Sequence, residues 1–271
     1  MITERRPSHR MHGLGGLGLR AQAWSAATFL GSLAALVFIW WAAAGLAGSR
    51  AFPPPQDVLA FIVTEAASGE LAFHLGMTLM RVGAAFVLAM TIGSALGIAL
   101  GRHRGADRFF GPWVILFLNI PALVTIVLAY IWFGLTEAAA IGAVALNKIP
   151  NVVVTLREGA RALDPAYTEM ATVFRFSPFR RLRHVILPQL QPYIAASMRS
   201  GIALIWKIVL VVELLGRSNG VGFQIHLHFQ YFEVAAILGY TLSFVAVMLA
   251  VELLLLQPYE RAARRWRPGH A

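Results

Sequence analysis

Charged and polar side chains are scarce in this chain, so each one set inside an apolar stretch needs a chemical reason. Lys207 lies in ALIWKIVLVVE with Glu213 six residues on, Lys148 follows Asn147 in ALNKIP, Arg81 lies in TLMRVG, and Asn119 precedes Ile120 and Pro121. An ionisable group inside an apolar run is expensive, so it pairs locally or faces a polar passage. In a passage, Lys207 and Lys148 would favour anions such as sulfonates, carboxylates or phosphates. Otherwise they would neutralise Glu213 or Glu252, or extend to the interface. Asn119 would line the passage at a kink, or cap carbonyls freed by the break at Pro121. Bond-making chemistry has less support. The chain has no cysteine, so no disulfide framework, thiolate nucleophile or thiolate metal site is available. His226 and His228, two apart in QIHLHFQ on what reads as a loop, have no further ligands nearby, and no metal is expected. No Ser, His and Asp constellation sits in a plausible pocket, and no G-x-x-x-x-G-K-S/T phosphate loop is present.

The elements that position these residues follow from composition. Of 271 residues, 58% are hydrophobic and 13% charged, too little polar surface to cover a water-soluble globule. Apolar runs of roughly 20 residues, enough for about 30 Å of hydrocarbon, occur near 24–47, 76–100, 110–133, 136–156, 192–215 and 234–256. The expectation is an all-α polytopic membrane protein with six transmembrane helices. The third and fourth are joined by GLTE as a tight hairpin. The first run is too long for a signal-peptide core and lacks a small-residue cleavage site, so it reads as an uncleaved helix. The small residues Gly83, Gly93, Gly97 and Gly101 suit close helix packing. No repeat of 20 to 50 residues is visible. The chain thus divides into a basic tail over 1–23, one membrane domain over 24–260 and a basic tail over 261–271.

Seventeen of the 23 Lys and Arg fall before the first run, between the second and third, between the fourth and fifth, or after the sixth. By the positive-inside rule both termini face the cytoplasm. The net charge of +10 therefore reports topology, and nucleic acid is not an expected partner.

Between the fourth and fifth runs stands DPAYTEMATVFRFSPFRRLRHVILP, residues 164–188. Asp164 before Pro165, and Ser177 before Pro178, are two helix-start signals: a capping side chain, then a proline whose missing donor would be orphaned there anyway. Two short helices are expected, about 165–175 and 178–187, with the next span beginning near Pro192. Phe179, Leu182, Val185 and Ile186 recur at helical spacing among Arg180, Arg181, Arg183 and His184, so one face can bury. Such a unit either rests on anionic lipid or docks into a groove on a soluble partner.

The segment resembles the EAA loop of membrane subunits of binding-protein-dependent ATP-binding-cassette (ABC) importers. That pattern is Glu-Ala-Ala, three residues, Gly, nine residues, Ile, any residue, Leu-Pro. It falls here on Glu169, Met170 and Ala171, then Arg175 at the Gly position, Val185 at the Ile position, and Leu187 and Pro188. Arg175 is the chief departure, since the family Gly permits a tight link that an L-residue makes only by ordinary backbone angles or at a cost. The resemblance runs from about Phe52 to Tyr259 through FPPPQDVL, the Arg81 helix closing on G-x-x-x-G, NIPALVTIVLAYIWFGLTE, and ALIWKIVLVVELLGRSNGVGFQI. These are similar to the nitrate, sulfonate, taurine and thiamine-precursor branch. The resemblance implies an inner-membrane permease, a second permease copy, a cytoplasmic ATPase dimer that holds ATP and Mg, and a periplasmic solute-binding protein. It also implies that this chain binds no cofactor and is no enzyme. The coupling residues it implies are Glu169, Ala171, Phe174, Arg175, Phe176, Phe179, Leu187 and Pro188.

Overall fold

The structure is a computed structural model that describes residues 15–259; most of the 1–23 tail and all of the 261–271 tail lie outside the described residues. Every element among the described residues is helical. Helix α1 (Gly15–Ala47) is already helical at Gly15, nine residues before the expected start at Trp24, in spite of the low helix propensity of Gly16 and Gly18. Helix α2 (Pro55–Ser68) starts on proline and ends at Gly69, whose φ of 86° permits α3 (Glu70–Arg102) to begin at once in a new direction.

Helix α3 spans 33 residues, about 50 Å at 1.5 Å per residue. The expected span over 110–133, with its break at Pro121, is α4 (Arg104–Asn119) and α5 (Ala122–Phe133), bent by 95°. Pro121 lacks a donor and drives Ile120 to extended angles (φ −71°, ψ 122°), which ends α4 and re-aims the chain. Thr136 caps α6 (Glu137–Arg161) by accepting from the Ala139 N–H. Then come α7 (Pro165–Val173), α8 (Pro178–Arg181), a π-turn over Leu182–Ile186, and α9 (Leu187–Gly216). The chain closes with α10 (Val221–Gln230), α11 (Val234–Val251) and a second π-turn over Glu252–Leu256.

Helices over Glu70–Arg102, Glu137–Arg161 and Val234–Tyr259 are long and apolar enough to cross a bilayer, and the bent pair can act as one broken span. The first and fifth expected spans fall in α1, 33 residues long, and α9, 30 residues long with Arg199, Lys207 and Glu213 along it.

The core forms where α3 and α6 meet. A Cβ on Gly93 would come within 2.6 Å of Val152, one on Gly97 within 2.8 Å of Leu156, and one on Gly101 within 2.6 Å of Ala160. The three glycines, one turn apart, bring the backbones together. Gly83 does not join them, for nothing approaches its Cβ position within 4 Å. Val82, Ala85, Ile126, Val144, Ile205 and Val209 extend the core to α5 and α9, and Tyr240 and Phe244 seat α11 against α2 and α3. Outward, Leu36, Ile115, Ile131 and Leu254 are more than half exposed, an apolar exterior that suits lipid.

Candidate functional site

Three groups of polar residues stand apart along the bundle. The first is the segment between α6 and α9. Asp164 caps α7, its Oδ1 accepting from the Ala166 N–H at 2.9 Å, and its own N–H donates to Gln189 Oε1 at 3.0 Å, tying the segment to α9. After Phe174 the chain turns back through Arg175, whose φ is +50°. The Phe176 N–H donates to the Ala171 carbonyl at 2.9 Å and the Arg175 N–H to the Thr172 carbonyl at 3.0 Å. This is a Schellman closure with Arg175 in the left-handed position that glycine usually fills, at about 1–2 kcal/mol for an L-residue.

Ser177 then caps α8 through the Arg180 N–H. The expected break near Pro188 does not occur. The chain widens into the π-turn at Leu182–Ile186 and continues into α9 with Pro188 in its first turn. A π-turn absorbs the donor that Pro188 lacks, so the second short helix is the rigid start of α9, and no new helix begins at Pro192.

Of the apolar face expected here, only Val185 and Ile186 are buried, with Ala171 from α7. Phe179 is 68% exposed and Leu182 38%, and Phe174 and Val173 also point outward. Phe176 is half-buried; Leu187 and Pro188 are exposed at the junction. Glu169 is exposed and makes no ion pair among the described residues. Arg161, a possible neighbour in sequence, is bonded to Glu158 (2.9 Å) and Asp107, beside Arg157, which meets Asp107 at 3.2 Å.

The second group surrounds Arg81, about 32 Å along α3 from that helix's end at Arg102 and 1% exposed. Its guanidinium donates to Glu213 Oε1 (2.7 Å), Glu137 (2.7 and 2.8 Å), the Asn219 carbonyl (2.9 Å) and the Asn219 side chain. Glu213, fully buried, also accepts from Thr78 Oγ1 and the Gly222 N–H, both at 2.9 Å. Thr78 Oγ1 accepts from the Val221 N–H (2.8 Å) and His74 Nδ1 from the Gly220 N–H (3.0 Å). That bond leaves the imidazole hydrogen on Nε2, which faces Glu70 Oε2 at 3.4 Å. Arg217 completes the knot on Glu137 and the Leu135 carbonyl. Gly220, at φ +107°, and Gly222 fit because a Cβ on either would overlap Glu213 or Leu210. Glu213 is thus partnered by Arg81, six residues and a helix face away from Lys207.

Sequence reasoning singled out Arg81 and Glu213 separately and missed Glu137, Thr78, Asn219 and His74. Glu137 sits in the GLTE turn and reads as a helix start; only packing of α3 against α6 and α9 joins it to Arg81. His226 and His228 lie on helix α10, not on a loop, where two residues apart means nearly opposite faces. His228 meets Glu233 at 2.7 Å and His226 meets Gln230 at 2.8 Å.

The third group is midway along the bundle. Lys148 is 2% exposed, with Nζ 3.5 Å from Ser200 Oγ. Lys207 is exposed, its Nζ 5.5 Å from the Trp206 ring centre. Asn119 donates from Nδ2 to the Ile115 carbonyl at 2.8 Å, capping its own helix at the bend.

Comparison with known proteins agrees with this architecture. The family described as "Binding-protein-dependent transport system inner membrane component" matches residues 89–268. The putative aliphatic sulfonates transport permease protein SsuC of Escherichia coli (strain K12) is 30% identical over 241 residues, covering 87% of this chain and 90% of that one. The taurine transport system permease protein TauC of the same organism is 27% identical, covering 89% of each. Among solved structures, an inward-facing MetNI methionine ABC transporter aligns with a TM-score of 0.57 at 16% identity, over 70% of this chain and 93% of that one. An amino acid ABC transporter aligns with a TM-score of 0.56 at 22% identity, over 74% and 98%. These two likenesses concern the fold. The chain belongs to the family of inner-membrane components of binding-protein-dependent transport systems, the ABC importer permeases, among relatives of the sulfonate and taurine branch.

Proposed function

We propose that the chain is the transmembrane subunit of an importer for a small anionic or heterocyclic solute, driven by partner ATPases through the segment between α6 and α9. The observation that carries this reading is the build of that segment. Two side-chain caps, a Schellman closure and the buried Ala171, Val185 and Ile186 fix it to the bundle. Val173, Phe174 and Phe179 project outward with Glu169, which has no ion pair among the described residues. Bulky anchors on a rigid mount fit a groove on a soluble partner. Because the π-turn makes the segment continuous with α9, a push on it is delivered along that helix as on a lever. The ATPase dimer supplies ATP and Mg; a periplasmic binding protein supplies the solute; a second copy of this chain completes the passage.

In this reading the Arg-rich end faces the cytoplasm, and the Arg81 knot holds the periplasmic ends of α3, α6 and α9 as one body. Lys148 and Lys207 line the passage, Asn119 stands at its bend, and Glu213 anchors its outer rim. The test is a detergent pull-down of the chain from its native membrane with mass spectrometry. A P-loop ATPase at one per copy is expected; its absence would make the segment a lipid-surface element and favour a carrier that works alone.

A further inference from the structure

Lys148 and Lys207 are the only lysines in the chain; the other 21 basic residues of this type are arginine. Both lie near the middle of long helices. Lys148 stands 11 residues into α6, about 16 Å from its start, and Lys207 nine residues before the end of α9, about 14 Å.

Five arginines are matched with carboxylates: Arg81 with Glu137 and Glu213, Arg217 with Glu137, Arg199 with Glu252, and Arg157 and Arg161 with Asp107 and Glu158. No carboxylate among the described residues pairs with either lysine. Lys148 is the sharper case. Its ammonium has three donors and one long contact, to Ser200 Oγ at 3.5 Å. Ser200 spends its own hydrogen on the Ser197 carbonyl at 3.2 Å, so it can only accept from Lys148. The side chain reaches Ser200 across Gly201, where a Cβ would meet Lys148 Cε at 3.4 Å. A buried cation left this short of acceptors is unfavourable unless something else visits it.

What can visit is set by α9. Ser200 and Lys207 are seven residues apart, hence on one face, and both are exposed. Lys148 arrives at the same face from inside. The geometry points to Lys148, Ser200 and Lys207 as an anion-binding site within the permease itself, in which Lys148 is the charge-selecting residue. The inference rests on the importer reading and extends it. An anionic group on this face takes the two donors Lys148 leaves unmet, while Lys207 adds a second charge about 10 Å along the helix. Neutral solutes gain neither. Lysine suits the task, because a compact ammonium with three rotatable donors holds an anion as a point charge, without the bidentate grip of arginine.

The permease, carrying lysine labelled with carbon-13 at Cε, is assembled in nanodiscs with its co-purified, unlabelled ATPase; two lysine side-chain signals result. Sodium methanesulfonate and sodium bicarbonate are titrated, with dimethyl sulfone as the uncharged counterpart of the first and sodium gluconate as the ionic-strength control. At least one small anion is expected to shift both signals saturably, with no shift from dimethyl sulfone or gluconate. Lys148→Met is expected to weaken that anion's effect on Lys207 by roughly tenfold, as loss of a charged donor does, while melting higher than the parent. Lys148→Arg should keep part of the binding. A Lys148 signal that neither anion moves, an equal shift with dimethyl sulfone, or a Lys148→Met variant that melts below the parent would overturn the site. If no ATPase co-purifies, the chain alone is titrated, so failure of the importer reading and failure of the anion site register separately.

Discussion

Arg175 shows how one residue's backbone can matter more than its charge. Its φ of +50° closes α7 in the geometry that glycine adopts freely. Arg175→Gly is therefore expected to stabilise the segment by about 1 kcal/mol or less, the left-handed cost being offset in part by the greater unfolded freedom of glycine. A thermal melt of the purified protein checks it, and a loss of stability would mean that the guanidinium makes a needed contact. Glu169 is the converse case, an exposed side chain with no ion pair among the described residues. Glu169→Lys should leave the melting behaviour within about 0.5 kcal/mol of the parent, as exposed substitutions do, yet abolish driven uptake in membrane vesicles; normal uptake would remove Glu169 from the coupling surface. Arg81 is locked on both sides. Arg81→Met leaves Glu213 buried without its cation and should cost about 3–5 kcal/mol. Adding Glu213→Gln should return part of that loss, a coupling that a double-mutant cycle measures.

At the level of helices, the decisive features are places where regular geometry is given up. Pro121 bends α4 from α5 by 95°, and the π-turns at Leu182–Ile186 and Glu252–Leu256 interrupt α-helical bonding without breaking the rod. The α3 and α6 pair depends on glycine, and the dependence is local. Gly97→Val places atoms against Leu156 and the Val153 carbonyl and should cost about 1–3 kcal/mol by overpacking. Gly83→Ala, which meets nothing within 4 Å, should be neutral or gain up to about 1 kcal/mol from helix propensity. Parallel melts of the two variants separate packing from propensity, and equal effects would contradict the packing account. The sequence pattern grouped Gly83 with Gly93, Gly97 and Gly101; the structure keeps the last three against α6 and leaves Gly83 out, with nothing within 4 Å of its Cβ position.

For the whole molecule, the apolar exterior and interior charges that are paired apart from Lys148 describe a body built to lie in a bilayer with one polar face left incomplete. On the importer reading that face, carrying Ser200 and Lys207, completes a passage with a second copy. Detergent-corrected light scattering of the purified complex should give two copies of this chain; a single copy would leave the lysine face against lipid, where exposed charge is costly.

Composition and charge were enough to establish a membrane chain of long apolar helices, and the spacing of Asp164, Pro165, Ser177 and Pro178 was enough to mark both helix starts between α6 and α9. These are local properties, set by what each residue permits its own backbone and by the length of hydrocarbon to be crossed. The tertiary structure alone decided that Arg81, Glu137 and Glu213 share one site, that Lys148 meets Ser200 and no carboxylate, and that the chain runs unbroken through Pro188. Partners across 56, 132 and 52 residues of sequence are chosen by which helix faces pack together. That choice depends on the close approach of α3, α6 and α9, a property of the bundle that no single segment carries.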